Sequence, residues 1–299
     1  MKNNWTLPLA LIVLTFLSTL YVGAGMEGSP GNILTGWPFA LPLMAILLAH
    51  EFGHYIAGRI HRVPISPPYF IPVPFFLLGT MGAVIHMRGR IKTRNALLDI
   101  GASGPLAGLL VTMPVLVYGI ATSEIRGMPE TGSYLIEGRS LFYLLCLYIC
   151  HGPLPAGQDI WLNSTAFAGW AGLLVTMINL LPVGQLDGGH VAYALWGKRQ
   201  NSRSEFIRHL LPFLGLVISL CFWTAAYLQG IRGEALIQEF MAGMHWVFWA
   251  GILWLMTRLS GKTHPPTDDD QLSPKRKAIG WLTLCFFVLL FMPSWIRVA

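Results

Sequence analysis

Seven blocks of this chain, at about 5–23, 36–57, 97–118, 165–181, 208–228, 240–257 and 279–296, are apolar over lengths close to the roughly 20 residues a helix needs to cross some 30 Å of hydrocarbon. Inside a bilayer no water is available to a bare peptide group, so only helices and closed barrels span it, and blocks this long select helices. Composition agrees. Charged residues make up 11% of the 299 positions and hydrophobic residues 54%, where a soluble domain is about a quarter charged. The formal charge of +6 does not form a nucleic-acid surface, because the basic residues fall in short groups between the apolar blocks. Arg59 and Arg62, Arg88 to Arg94, Lys198 to Arg208 and Arg258 to Lys277 are placed as juxtamembrane anchors, and the positive-inside tendency puts all four groups on the cytoplasmic side. The bilayer is thus the expected partner, and nucleic acid is not.

The block Leu141–Cys150 does not fit as a further span. Ten helical residues cover about 15 Å, and counting them as a crossing would invert every later loop against the charge pattern. It is expected as a re-entrant or interfacial helix on the far side, preceded by an irregular external loop from Glu124 to Glu137. The first apolar block follows Met1-Lys2-Asn3 and has two readings, a cleaved signal peptide or a retained span; its length, with Trp5 and Tyr21 at its ends, favours retention. The four cysteines, Cys146, Cys150, Cys221 and Cys285, lie in apolar stretches without metal-knuckle spacing and are expected as small buried hydrophobes. Five prolines within Val63–Pro74 exclude a regular helix there, and Leu78–Arg88, with its glycines and β-branched residues, suits strands or a hairpin. No internal repeat is evident, and 261–278 forms a polar cytoplasmic linker with aspartates at 268–270.

One apolar block carries chemistry. Within Met44 to Ala57, His50 and His54 are four apart, so on a helix both rings share a face and can reach one divalent ion, while Glu51 on the neighbouring stripe can act on a water held there. Isolated histidines and an unpaired glutamate at this depth would cost several kcal/mol, and a metal removes the problem. Catalytic zinc takes three protein ligands, so a third is required. Asp187 is the only carboxylate between Asp159 and Glu205, and it lies at the cytoplasmic end of the fourth block. Pro182 and Gly184 break the helix just before it, exposing backbone that is tolerable only in a protein interior or a polar cavity. Two readings remain for Asp187 at this point, a ligand or a loop aspartate facing cytoplasm.

The pattern His50-Glu-Phe-Gly-His54, together with Asn179, Pro182 and Leu186-Asp-Gly-Gly189 further along the chain, resembles the site-2 proteases, intramembrane zinc metalloproteases. The resemblance also takes in Gly101-Ala-Ser-Gly-Pro-Leu-Ala-Gly108 and covers about 36–195, which would be the catalytic core within a single membrane domain, 1–299. It implies an all-α polytopic membrane protein with a three-helix catalytic core, added helices and a small re-entrant β segment at 63–90. It further implies one Zn2+ held by His50, His54 and Asp187, with Glu51 as general base and acid. Asn179 would assist substrate binding or hold the oxyanion. Substrates would be single-span membrane proteins, paired as strands near Gly82–Ile85; the alternative for that segment is a hairpin that only fills the bundle. The family's PDZ domain has no soluble block here long enough to hold it. Gly184-Gln185 lengthens the usual link before Leu-Asp-Gly, which bears on the geometry around Asn179. A bacterial plasma membrane is the expected location, with the site near its cytoplasmic face. A metal-binding transporter and an inactive protease homologue are the competing functions; too few facing acids and an intact motif count against them.

Other histidines draw simpler readings. His190, three past Asp187, is either a supporting contact for the site or a helix-start residue. His86 and His151 are expected to be structural or solvent-facing rather than accessory to the site, His245 to belong to an aromatic belt with Trp246 and Trp249, and His264 to the linker. Gly101, Ala102, Ser103, Gly104 and Gly108 form a small-residue face suited to close helix packing, and Ser103 has no base at a spacing that would make it a nucleophile.

Overall fold

The computed structural model describes residues 4–86, 89, 91–129, 134–260, 267–268 and 271–298. Helix α1 (Thr6–Met26) is followed by a 3-10 turn (Ile33–Gly36) that leads directly into α2 (Trp37–Ile60). Strands β1 (Tyr69–Pro72) and β2 (Thr80–Val84) precede α3 (Arg94–Ala121). Then come β3 (Glu124–Gly127), β4 (Leu135–Glu137), α4 (Leu141–His151) and β5 (Gln158–Trp161). The chain closes with α5 (Ser164–Asn179), α6 (Asp187–Trp196), α7 (Arg199–Leu228), α8 (Glu234–Met241), α9 (Met244–Ser260), α10 (Pro274–Leu290) and β6 (Ile296–Val298). This is the expected all-α polytopic membrane protein with small β elements.

Among the described residues four stretches, Thr6–Met26, Ile33–Ile60, Arg94–Ala121 and Arg199–Leu228, are long and apolar enough to cross a membrane, and α8 with α9, bent by 42° at their junction, can act as a fifth. The sequence predicts seven. The shortfall lies in α5 and α10, which have 16 and 17 residues and so fall below about 30 Å. Length matching to lipid is not demanded of α5, because its neighbours are protein: Ala166, Ala168, Trp170, Ala171, Leu173 and Met177 are fully buried. The last block, expected to reach 296, stops at Leu290, where Phe291 turns extended (φ −59°, ψ 125°) ahead of Pro293, which has no N–H to continue a helix. Beyond that proline the chain forms β6.

That strand also alters the far side. Glu124–Glu137, expected to be irregular, supplies β3, antiparallel to β5 (Ile125 opposite Ile160), and β4, antiparallel to β6 (Ile136 opposite Arg297). Residues 130–133 between them lie outside the described residues. Arg139 joins this surface to α4: its Nη2 donates to both Asp159 carboxylate oxygens at 2.6 and 2.7 Å and its Nε to Glu137 at 3.1 Å, while the Tyr143 hydroxyl donates to Glu137 at 2.9 Å. Burial works against the Arg139 charge, but Glu137 and Asp159 outweigh it and raise the guanidinium pKa.

The third sheet lies within 63–90. β1 and β2 pair antiparallel, Phe70 opposite Ala83, with an irregularity before Pro72, and Ser18 of α1 donates to the Gly79 carbonyl at the turn. Of the remaining expectations, Arg88 and Arg90, linker residues 261–266 with His264, and 269–270 lie outside the described residues. α10 begins at Pro274, inside the stretch 261–278 expected as linker. All four cysteines are free; Cys146 is buried as expected, but Cys221 and Cys285 are exposed on the outer surfaces of α7 and α10.

At the centre α2, α3 and α5 pack together, with Phe39, Leu43, Ile46, Leu116, Ile120, Trp170 and Leu173 excluded from the surface. Lipid tails are as apolar as these side chains, so close fit rather than escape from water holds the helices. The small-residue face of α3 provides that fit: a Cβ on Gly53 of α2 would meet the Ser103 carbonyl oxygen at 2.5 Å.

Candidate metal centre

Two helices supply the site. His50 and His54 project from α2 one turn apart and are both buried. Asp187 is the first residue of α6, which starts because Leu186 is extended (φ −65°, ψ 160°) after a turn through Gly184 (φ +58°), a conformation glycine adopts without strain. The turn is tied to α7, where Ser204 Oγ accepts from the Gly184 N–H at 2.8 Å and Gln200 Nε2 donates to the Pro182 carbonyl at 2.7 Å. At the other end of α6, Arg94 of α3 donates to the Ala194 carbonyl at 2.6 and 2.8 Å and to that of Leu195 at 3.1 Å. These bonds satisfy the carbonyls a helix leaves free at its C-terminus.

The three side chains converge. His50 Nε2, His54 Nε2 and Asp187 Oδ2 form a nearly equilateral triangle, with separations of 3.2 Å between the rings, 3.3 Å from His50 to Asp187 and 3.2 Å from His54 to Asp187. Tetrahedral zinc with bonds of about 2.0–2.1 Å requires ligand atoms about 3.3 Å apart, so the triangle fits the ion. It is the one group of three or more His, Cys, Asp or Glu among the described residues whose ligand atoms are close enough to share a metal. The tautomer also fits: His54 Nδ1–H donates to the Ile100 carbonyl at 2.7 Å, leaving Nε2 with its lone pair toward the triangle. Glu51, half-buried, occupies the next position on α2.

Asn179 closes α5, half-buried, one residue before Leu180, whose carbonyl presses on Gly188. The end of α5 therefore abuts the start of the Asp187 helix, although among the described residues no hydrogen bond joins the Asn179 side chain to the three ligands. His190 is buried, its Cβ against Gly101 of α3. The other histidines lie elsewhere. His151 Nε2 donates to the Ile120 carbonyl at 2.8 Å, the His86 backbone bonds Ser66, and His245 lies 4.5 Å from the Trp295 ring, within an aromatic cluster.

Two supporting features went unassigned in sequence. Gly104 lies against the His54 ring so closely that a Cβ there would be 2.0 Å from Nε2, and Arg94 holds the far end of the Asp187 helix. The first had a signal, glycines at 101, 104 and 108 on one helical face. The second depends on how α3 docks on α6, which no local pattern records.

Fold and site together define a helical membrane protein with a His2Asp cluster at metal-ligand spacing and an adjacent glutamate. The chain belongs to peptidase family M50, the site-2 protease family, whose profile matches residues 38–222 and so spans both histidines, Glu51, Asn179 and Asp187. Among curated proteins it is 33% identical over 170 residues to "Probable zinc metalloprotease EGY2, chloroplastic" of Oryza sativa subsp. indica, covering 55% of this chain and 30% of that one. It is 32% identical over 165 residues to "Probable zinc metalloprotease EGY1, chloroplastic" of Arabidopsis thaliana, covering 54% of this chain and 30% of that one. The chain thus spans less than a third of the length of these relatives. No solved structure matches.

Proposed function

We propose that this chain is a zinc-dependent endopeptidase that hydrolyses peptide bonds of single-span membrane proteins within the bilayer, with one zinc per chain. The observation that carries this reading is the His50, His54 and Asp187 triangle at zinc spacing with Glu51 beside it on a helix of membrane length. Zinc, when bound, supplies Lewis acidity that activates water and polarises the scissile carbonyl. Glu51 accepts the proton of the attacking water and returns it to the leaving nitrogen. Asn179 is assigned to orienting the substrate or bonding the developing oxyanion, and the Ile100 carbonyl fixes the His54 ring so that only Nε2 faces the reaction.

A helical substrate hides its peptide bonds, so it has to be unwound before attack. Among the described residues β2 is paired with β1 along one edge only, and Met81 and Val84 are 66% and 55% exposed. An unwound substrate segment can add to the remaining edge near Gly82–Ile85 and regain hydrogen bonds there. The positive-inside tendency, applied to Arg59, Arg62, Arg94 and the group from Lys198 to Arg208, supports a site near the cytoplasmic face of the membrane; the plant relatives are named chloroplastic.

Cleavage of a panel of single-span peptides in liposomes tests the reading. Wild-type protein is expected to cut at least one peptide within its apolar segment, and Glu51→Gln to lose at least about a hundredfold in rate, the usual scale for removing a general base. Equal cutting by both proteins would contradict the role of Glu51.

A further inference from the structure

Trp196, the last residue of α6, joins the starts of two other helices. The Arg203 guanidinium of α7 lies 4.4 Å from the centroid of its ring, and Trp281 of α10 meets it edge to face at 5.7 Å. Around this pair Lys198, Arg199, Arg203, Lys275 and Lys277 are exposed, and among the described residues none of the five has a carboxylate partner. Arg276, between Lys275 and Lys277, is by contrast paired with Asp99, and Arg126, Arg139 and Arg297 elsewhere are likewise bound to acids. Lys277 is one turn before Trp281 and so lies on its side of α10.

The surface beyond these cations is apolar. From Arg203 the same face of α7 continues through Phe206, Leu210 and Phe213, which are 67%, 43% and 63% exposed, and α10 presents Ile279, Trp281 and Leu282 to the outside. Cations at the end of a helix, tryptophans one turn in and an apolar stripe above match an amphiphile with an anionic head. A guanidinium stacked on indole keeps its edge N–H groups free, and those bind phosphate oxygens in pairs.

We propose that this corner binds an anionic phospholipid, with the headgroup phosphate on Arg203 between Lys198 and Lys277 and the acyl chains along Phe206 to Phe213. Free inorganic phosphate shares the headgroup chemistry but makes no use of the apolar stripe. Lipid binding here is independent of proteolysis.

Native mass spectrometry of the full chain, offered equal phosphatidylglycerol and phosphatidylcholine in detergent, tests it. Wild type is expected to retain phosphatidylglycerol preferentially, and Arg203→Ala to retain about fivefold less, the scale of one cation near an anionic surface. The surface pair Lys198→Ala with Lys277→Ala should show a similar loss if Arg203→Ala folds poorly. Arg258→Ala serves as control, because Arg258 stacks on Trp254 at the same 4.4 Å on α9 and is expected to change nothing. Equal retention of the two lipids, an equal loss in Arg258→Ala, or displacement of the lipid by millimolar inorganic phosphate would overturn the proposal.

Discussion

Hydrogen is the only side chain that position 104 can carry while His54 keeps its place, since a methyl there would stand 2.0 Å from Nε2 and 2.4 Å from Cδ2. The ring cannot move away at no cost, because its other nitrogen is bonded to the Ile100 carbonyl at 2.7 Å. Gly104→Ala is therefore expected to weaken zinc binding by tenfold or more and to destabilise the fold by about 1–3 kcal/mol, the cost of overpacking a filled interior; chelator competition and thermal melting measure the two effects. At this scale sequence was informative where spacing fixes geometry. Positions four apart on a helix share a face whatever surrounds them, which made His50 and His54 legible, and Asp187 stood out as the lone carboxylate at matching depth. The Ile100 carbonyl was invisible because every residue has one, and only the docking of α3 on α2 selects it.

Among the elements, α6 matters most for the site, and it is a short helix of 10 residues. So short a helix has little stability of its own, and its position comes from its ends: Ser204 and Gln200 hold the turn before Asp187, and Arg94 caps the carbonyls of Ala194 and Leu195. Arg94→Ala is expected to lower zinc affinity by loosening the far end of the helix that carries Asp187, with Arg94→Lys recovering only part because it cannot reproduce the forked contact. Isothermal titration with zinc after chelator treatment distinguishes this from a general loss of fold. Long apolar helices were legible because lipid imposes their length and composition. The strands β3 to β6 were not, since each has three or four residues and pairs with a distant segment. α10 ended early for a related reason: its apolar sequence runs on, but Pro293 and the pairing of β6 with β4 decide where the helix stops.

For the molecule as a whole, the metal triangle joins parts of the chain that are 133 residues apart, from α2 to α6, around a core of α2, α3 and α5. His50 Nε2, His54 Nε2 and Asp187 Oδ2 lie at the spacing zinc requires, so a bound ion would add a crosslink without asking the helices to rearrange. The short α5 shows that this core behaves as a protein interior even though the molecule sits in lipid, and the longer outer helices meet the bilayer. Metal analysis of purified wild type, Glu51→Gln, His54→Ala and Asp187→Ala is the decisive experiment for the three-ligand centre. About one zinc per chain is expected in wild type and Glu51→Gln, and almost none in the other two, because losing one of three ligands leaves a site zinc rarely occupies. Full zinc content in Asp187→Ala, or none in wild type prepared without chelator, would contradict the site.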